Sequence, residues 1–510
     1  MRKTLLLISS ICFLCSFTPK PAAIDDVCTF MDDEIFKAYC YENFDSDHDG
    51  KVSVEEATQV YTISVESKGI KSLKGIEYFV NLASLYCYDN KLTELEVRRN
   101  TELIYLYCSD NRLTNLNVGG LEKLEQVQCA NNLLKSLKVS TCPSLTFLDC
   151  SNNQLTEVAV ARNSELISLN CADNLLENVE VGYNVKLLTL DCSGNQITYL
   201  DIAGNKALSS LAAKNNKLTS INLNNNSDLQ FLTLSGNEIV NIDLFYNGRL
   251  NYAYLDNNQL RSLDIRTNEE LEYLNIDNNV FTDIRLSSSS LRELHCAGNR
   301  LYLLDVTGLE NLVTLNCDGN RLTSLDLSAN KNLYTLSCAD NLISELYLFA
   351  NTHLNTLICD NNKFIALDLS DNMELQKFSC SNNSIISLDL AKNIVLQELV
   401  CNNNKIKFLV LPINGLHVLI CSNNDLSNLD LTGQMFLEQL CFSNNKLSNV
   451  NLKDCRDLSI LVCTSNFLTK LDLTGNRNLT VVMCDYNPIE SIKVACQIPE
   501  FYYPGGVEIK

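Results

Sequence analysis

The chain has 510 residues, 46% of them hydrophobic and 20% charged, which excludes a disordered chain and leaves ample material for a core. Its 40 basic against 61 acidic residues give a net charge of -21; such a surface repels phosphate backbones, excludes nucleic acid as a partner class, and suits divalent cations or basic partners. With 23 cysteines and no tryptophan, it matches neither a small disulfide-stapled domain nor an average globular mixture.

At the N-terminus, Arg2 and Lys3 precede an apolar run from Leu5 to Phe17, followed by Thr18, Pro19 and small residues up to Ala23. This layout predicts a secretory signal peptide over residues 1–23 and hence a secreted, extracellular or cell-surface location, with the periplasm as the alternative. Cys12 and Cys15 raise lipid attachment, but the bulky Ile11 and Leu14 before them argue against it. No later stretch is long and apolar enough to read as a transmembrane helix.

Residues 24–60 read as a small helical cap. Within it, Asp45 to Glu56 runs DSDHDGKVSVEE. Asp45, Asp47 and Asp49 hold positions one, three and five of an EF-hand-like calcium loop, Gly50 the sharp turn at six, and Glu56 position twelve. The Lys51 carbonyl supplies position seven and Ser53 position nine, so the reading is one Ca2+ site that stabilises the cap. A helix over Asp32 to Phe44 should enter the loop, and one beginning at Glu55 and reaching Val60 should leave it. An oxidising compartment would permit a Cys28–Cys40 bridge.

From residue 61 to 494 the chain repeats in about 21 units of 20–22 residues, each of the form LxxLxCxxNxLTxLxV. The Cys column contains Cys87, Cys108, Cys129, Cys150, Cys171 and Cys192, then Cys296 onward to Cys484, with Ala213, Leu234, Leu255, Ile276 and Phe442 at the same place. The alternating apolar positions predict a short strand per unit. No unit buries its face alone, so the units must stack into an α/β solenoid with a continuous parallel sheet and a thin outer side. Ala, Leu, Ile and Phe cannot replace a metal ligand, so the column reads as buried free thiols. The Asn column, including Asn90, Asn111, Asn132, Asn153, Asn320 and Asn487, sits where the strand bends and predicts a hydrogen-bonded ladder. Residues 495–510 read as a C-terminal cap or tail.

These units resemble the bacterial leucine-rich-repeat family, and most of all secreted internalin-like proteins. The resemblance covers Val65 to about Val494 and implies a horseshoe whose concave sheet binds protein or glycan. This chain departs from internalins in unit length and in carrying Cys where their inner positions are otherwise apolar.

The residue before the Cys column and the one three before it should project from the concave face. They form two aromatic groups, Tyr86, Tyr105 and Tyr107, then Phe231, Tyr252, Tyr254 and Tyr273, with carboxylates such as Asp89, Asp110, Asp256 and Asp277 along the edge. Rings rimmed by acids suit a protein with basic groups or a sugar that stacks on them. The four histidines form no catalytic grouping, and no nucleotide or hydrolase motif appears, so the function expected is non-enzymatic adhesion or recognition. The alternatives are a structural component of an extracellular matrix or envelope, or a glycan-active enzyme.

Overall fold

The computed structural model describes residues 24–413 and 415–510; the expected leader lies outside them. Each unit contributes a three-residue strand, such as Tyr105–Tyr107, whose central side chain is buried and whose flanking side chains face outward. Successive strands pair in parallel and in register, Leu106 against Val127, then Leu148, then Leu169, so identical positions of the repeat form columns. The result is a parallel β-solenoid built around one 22-stranded sheet.

The opposite wall is made of turns and short ladders. Asp283–Ser287 pairs with Leu303–Gly308, Ser387–Asp389 with Phe408–Val410, and Lys470–Leu473 with Ser491–Val494. Beyond residue 494, Glu500–Tyr502 adds a further strand to the long sheet and Glu508–Ile509 another to the outer ladder. Among the described residues all helices lie in the cap and first unit, and none is long and apolar enough to cross a membrane.

Two leucine rows and the cysteine column fill the space between the walls. All fifteen column cysteines are buried free thiols. Several donate weakly to the next unit's carbonyl, as from Cys317 Sγ to Ser337 O at 3.5 Å. Burial pushes these thiols up, to about 12 at Cys192, so they stay protonated near neutrality and are poor nucleophiles and metal ligands. Cys296→Ala should therefore cost the cavity it leaves and the weak Sγ–H bond to Asn316 O at 3.4 Å, together about 1–3 kcal/mol by chemical denaturation. Alkylating reagent should label the column only after unfolding; disulfides between successive column residues in a peptide map would contradict this packing.

The asparagine column obeys stricter rules. Asn320 Nδ2 donates to Cys296 O and Cys317 O at 3.0 Å and to Asp318 O at 3.2 Å, while its Oδ1 accepts from Leu301 N–H at 3.0 Å. One side chain thus satisfies backbone groups of two units at the bend, and from Asn90 to Asn487 no other residue type occupies the position. The residue before it takes a left-handed conformation, with φ 52° at Asp89, 55° at Asp110 and 53° at Asp340, or is Gly, as at Gly194. Most units place Asn, Asp or Gly here, the residues that best tolerate this backbone, and Ser465 and Tyr486 are the exceptions. These edge carboxylates therefore have a conformational reason for their place.

A second asparagine ladder lies at the end of most units. Asn351 Nδ2 donates to Leu327 O at 3.1 Å and Asn330 O at 2.8 Å, but its Oδ1 has no partner among the described residues. Because the position is used only as a donor, other residues can stand in for Asn: Cys142 occupies it and donates from Sγ to Val118 O.

Candidate functional site

The cap begins at helix α1, Glu34–Phe44, whose N-terminus is held by Asp33 accepting from Ile35 and Phe36 N–H at 3.0 and 3.1 Å. The acidic loop follows it. Asp49 N–H donates to Asp45 Oδ1 and Asp47 Oδ1, both at 3.1 Å, and Gly50 N–H donates to Asp45 Oδ2 at 2.9 Å. Gly50 has φ 85°, which a side chain would strain. These bonds draw the three carboxylates together: Asp45, Asp47 and Asp49 each present one oxygen, all within 4.8 Å of one another. Such hard, anionic oxygens can coordinate a cation.

Glu56 stands outside this group of three. Its Oε1 accepts from Ser46 N–H and Oγ, both at 2.7 Å, and its Oε2 accepts from Ser53 N–H and Oγ at 2.9 Å. These bonds hold its carboxyl down to about 2. Ser53 in turn caps helix α2, Val54–Ala57, and with Glu56 forms a reciprocal capping box. The Lys51 side chain pairs with Asp25.

The exiting helix is shorter than its sequence suggests. It stops at Ala57, and the chain enters the strand Thr62–Ser64, which pairs with Ser84–Tyr86. Ile63 and Val65 are fully buried on alternating positions, so pairing with the sheet outweighs continuing the helix.

Sequence reasoning missed Asp26, which ties the cap together. Its carboxylate accepts from Cys28 N–H at 2.9 Å, Val52 N–H at 3.2 Å and the Tyr41 hydroxyl at 2.8 Å, while Val27 N–H donates to Val52 O at 2.9 Å. The segment before α1 thus braces the acidic loop. Cys28 and Cys40 are buried free thiols; a hydrogen bond with Cys28 and burial push Cys40 far above the usual thiol range.

On the long sheet the predicted outward positions do face outward. Tyr86 and Tyr107 meet edge to face with centroids 5.2 Å apart, and Tyr105 lies 6.5 Å from Tyr107. Tyr107 donates its hydroxyl to Gln126 Oε1 at 2.6 Å. Further along, Phe231 and Tyr252 stack at 5.2 Å with planes 5° apart, Tyr252 reaches Tyr273 at 6.3 Å, and Tyr254 reaches it at 4.7 Å. His295, which also projects from the sheet face, packs on Tyr273 at 5.4 Å and extends the run. Burial, then Tyr254, Glu293, Asp277 and Asp256, push the Tyr273 hydroxyl up to about 12, so it stays a neutral donor.

The neighbouring carboxylates are partly committed to the fold. Asp256 accepts from Ser235 Oγ at 2.6 Å, and Asp318 accepts from Ser337 Oγ at 2.8 Å and Ala339 N–H at 2.6 Å. Burial raises Asp277 and Asp318 above the usual carboxylate range.

The described residues form a repeat solenoid with an exposed aromatic sheet face. No family model matches the chain, and no curated protein does. Among solved structures, the functional domain of InlJ from Listeria monocytogenes, which includes a cysteine ladder, is 31% identical over 75% of this chain and 81% of that one, with a TM-score of 0.62. The Leptospira interrogans leucine-rich-repeat protein LIC12759 is 22% identical over 76% of this chain and 97% of its own, at TM-score 0.59. YopM from Yersinia enterocolitica is 22% identical over 89% and 92%, at 0.61. The last two share the fold. This chain belongs to the family of the InlJ domain, the bacterial internalin-like leucine-rich-repeat solenoids, and is non-enzymatic.

Proposed function

We propose that the protein is secreted or displayed at the cell surface and captures a protein or glycan ligand on the exposed face of its long sheet. The observation that carries this reading is the unbroken run Phe231, Tyr252, Tyr273 and His295, stacked across successive strands with Tyr254 beside it. Rigid rings held by a rigid sheet offer contact area at little entropic cost. Cross-strand ring pairs add modestly to the sheet's own stability, and an exposed run of this length also offers a surface for a partner. Pulldown from host and microbial surface fractions, followed by affinity measurement of the captured ligand, tests the reading. Failure to find any saturable partner would favour a structural matrix role.

Calcium, in this reading, stabilises the cap. Asp45, Asp47 and Asp49 would form the core of the site, with the Lys51 carbonyl, Ser53 and Glu56 completing it. A site with Kd near 10⁻⁴ M in millimolar calcium gains about 1.4 kcal/mol by mass action. Chelation should loosen residues 32–60 and the first units while leaving later ones intact, because repeat energetics are largely nearest-neighbour. Asp49→Asn should reproduce much of that loss. An ion titration with calorimetry showing no binding and an unchanged transition would remove calcium from the account.

A further inference from the structure

The column cysteines follow one another on in-register parallel strands, as Cys108 follows Cys87, so their Cα–Cβ bonds run side by side and their sulfurs are not aimed at each other. Cys28 and Cys40 are placed differently. Cys28 lies in the short helical turn Val27–Phe30, where only it and Val27 are buried, and Cys40 lies in α1, where only it and Phe36 are buried. All four side chains are closed to solvent. The two elements touch, and the two thiols share a hydrogen bond.

Polar contacts hold the same segments together independently of the sulfurs. Tyr41, next to Cys40, donates its hydroxyl to Asp26 Oδ2 at 2.8 Å, and the other oxygen of that carboxylate accepts from Cys28 N–H at 2.9 Å. Residues 26–28 are bonded in turn to the acidic loop, by Val52 N–H to Asp26 Oδ1 at 3.2 Å and by Val27 N–H to Val52 O at 2.9 Å, while α1 runs directly into Asp45. Two thiols held against each other in this way have a high effective concentration, the condition under which thiol–disulfide exchange closes an intramolecular bridge.

We propose that Cys28 and Cys40 form a disulfide in the secreted protein and that this bond locks the cap onto the end of the long sheet. It rests on the functional reading above only for the oxidising compartment. One cysteine thiolate attacks a disulfide-bearing oxidant, forming a mixed disulfide and releasing one thiol; the second thiolate displaces the other thiol. Two cysteines thereby lose two electrons and two protons, and the oxidant becomes two thiols. Burial holds Cys40 protonated once the cap has closed, so the exchange belongs to folding, before the thiols are sealed. The bridge narrows the unfolded ensemble of the cap and leaves the repeats untouched.

The test uses the full chain, produced by recombinant export to an oxidising compartment, unfolded in alkylating reagent without reductant and mapped by peptide. Cys28 and Cys40 are expected in one linked peptide pair, with all fifteen column cysteines labelled. Labelling of both cap cysteines, or a bridge from either to another cysteine, would overturn the proposal. Hydrogen exchange is then compared before and after reduction. Amides of residues 26–60 should exchange at least about tenfold faster once reduced, while those beyond the first few units stay unchanged. The double variant Cys28→Ala with Cys40→Ala should exchange alike with and without reductant. Identical exchange of the oxidised and reduced natural sequence would overturn the locking role. Recombinant export makes the result independent of the natural location, and a parallel series in chelator makes it independent of calcium, so failure of the bridge and failure of either earlier reading are told apart.

Discussion

Asn320→Ala should destabilise the protein by about 2–4 kcal/mol, because it removes four hydrogen bonds at once and leaves the buried Leu301 N–H without an acceptor. The carbonyls of Cys296, Cys317 and Asp318 lose one donor each and keep another, from Asn299 Nδ2, Asn341 Nδ2 and Gly298 N–H, whereas Leu301 N–H loses its acceptor. Water cannot readily replace the amide, since Asn320 and its neighbours in the column lie beneath the sheet edge, nearly closed to solvent. Asn351→Ala, in the second ladder, removes two donated bonds and no accepted one, so about 1–3 kcal/mol is expected there. Urea denaturation gives the totals. Hydrogen exchange should place the Asn320→Ala loss in its own and adjacent units, as a nearest-neighbour solenoid requires. Equal costs for the two substitutions would contradict the difference in bonding.

Replacing Tyr86, Tyr105 and Tyr107 together by Ser should weaken a complex formed at that patch by more than about 2 kcal/mol, roughly 30-fold in Kd. The rings interlock at 5.2 and 6.5 Å, so they form one surface across two units, and removing all three deletes it without touching Leu85, Leu106 or the cysteines beneath. The loss of those ring contacts and of the Tyr107–Gln126 hydrogen bond should cost the fold about 1–2 kcal/mol, so thermal unfolding must accompany the affinity measurement. A matching triple change at Tyr252, Tyr254 and Tyr273 is the independent comparison. If neither variant changes affinity for the captured ligand, the sheet face is not its site.

Much of this could be read from one unit of sequence laid on the next. A column that accepts Cys, Ala, Leu, Ile or Phe is an apolar slot, and a column that accepts only Asn is a polar joint that no other side chain can make. The cap was legible for a similar reason, since carboxylates at positions one, three and five around a glycine are set by local turn chemistry.

What the repeat did not disclose depends on contacts across units or across the cap. Asp26 precedes the motif it braces and meets Val52 only when the loop folds back on it. Helix α2 ends at Ala57 because the following residues gain more by joining the sheet, a reward that lies outside the segment itself. His295 belongs to no motif along the chain and joins the aromatic run only by packing against Tyr273 from the adjacent strand. The sequence by itself determined the period, the strand and the buried columns, because each is a local pattern of side-chain size and polarity repeated at fixed spacing. Only the tertiary structure decided which rings touch and which carboxylates are bound to the backbone, because those depend on side chains from different units meeting in space.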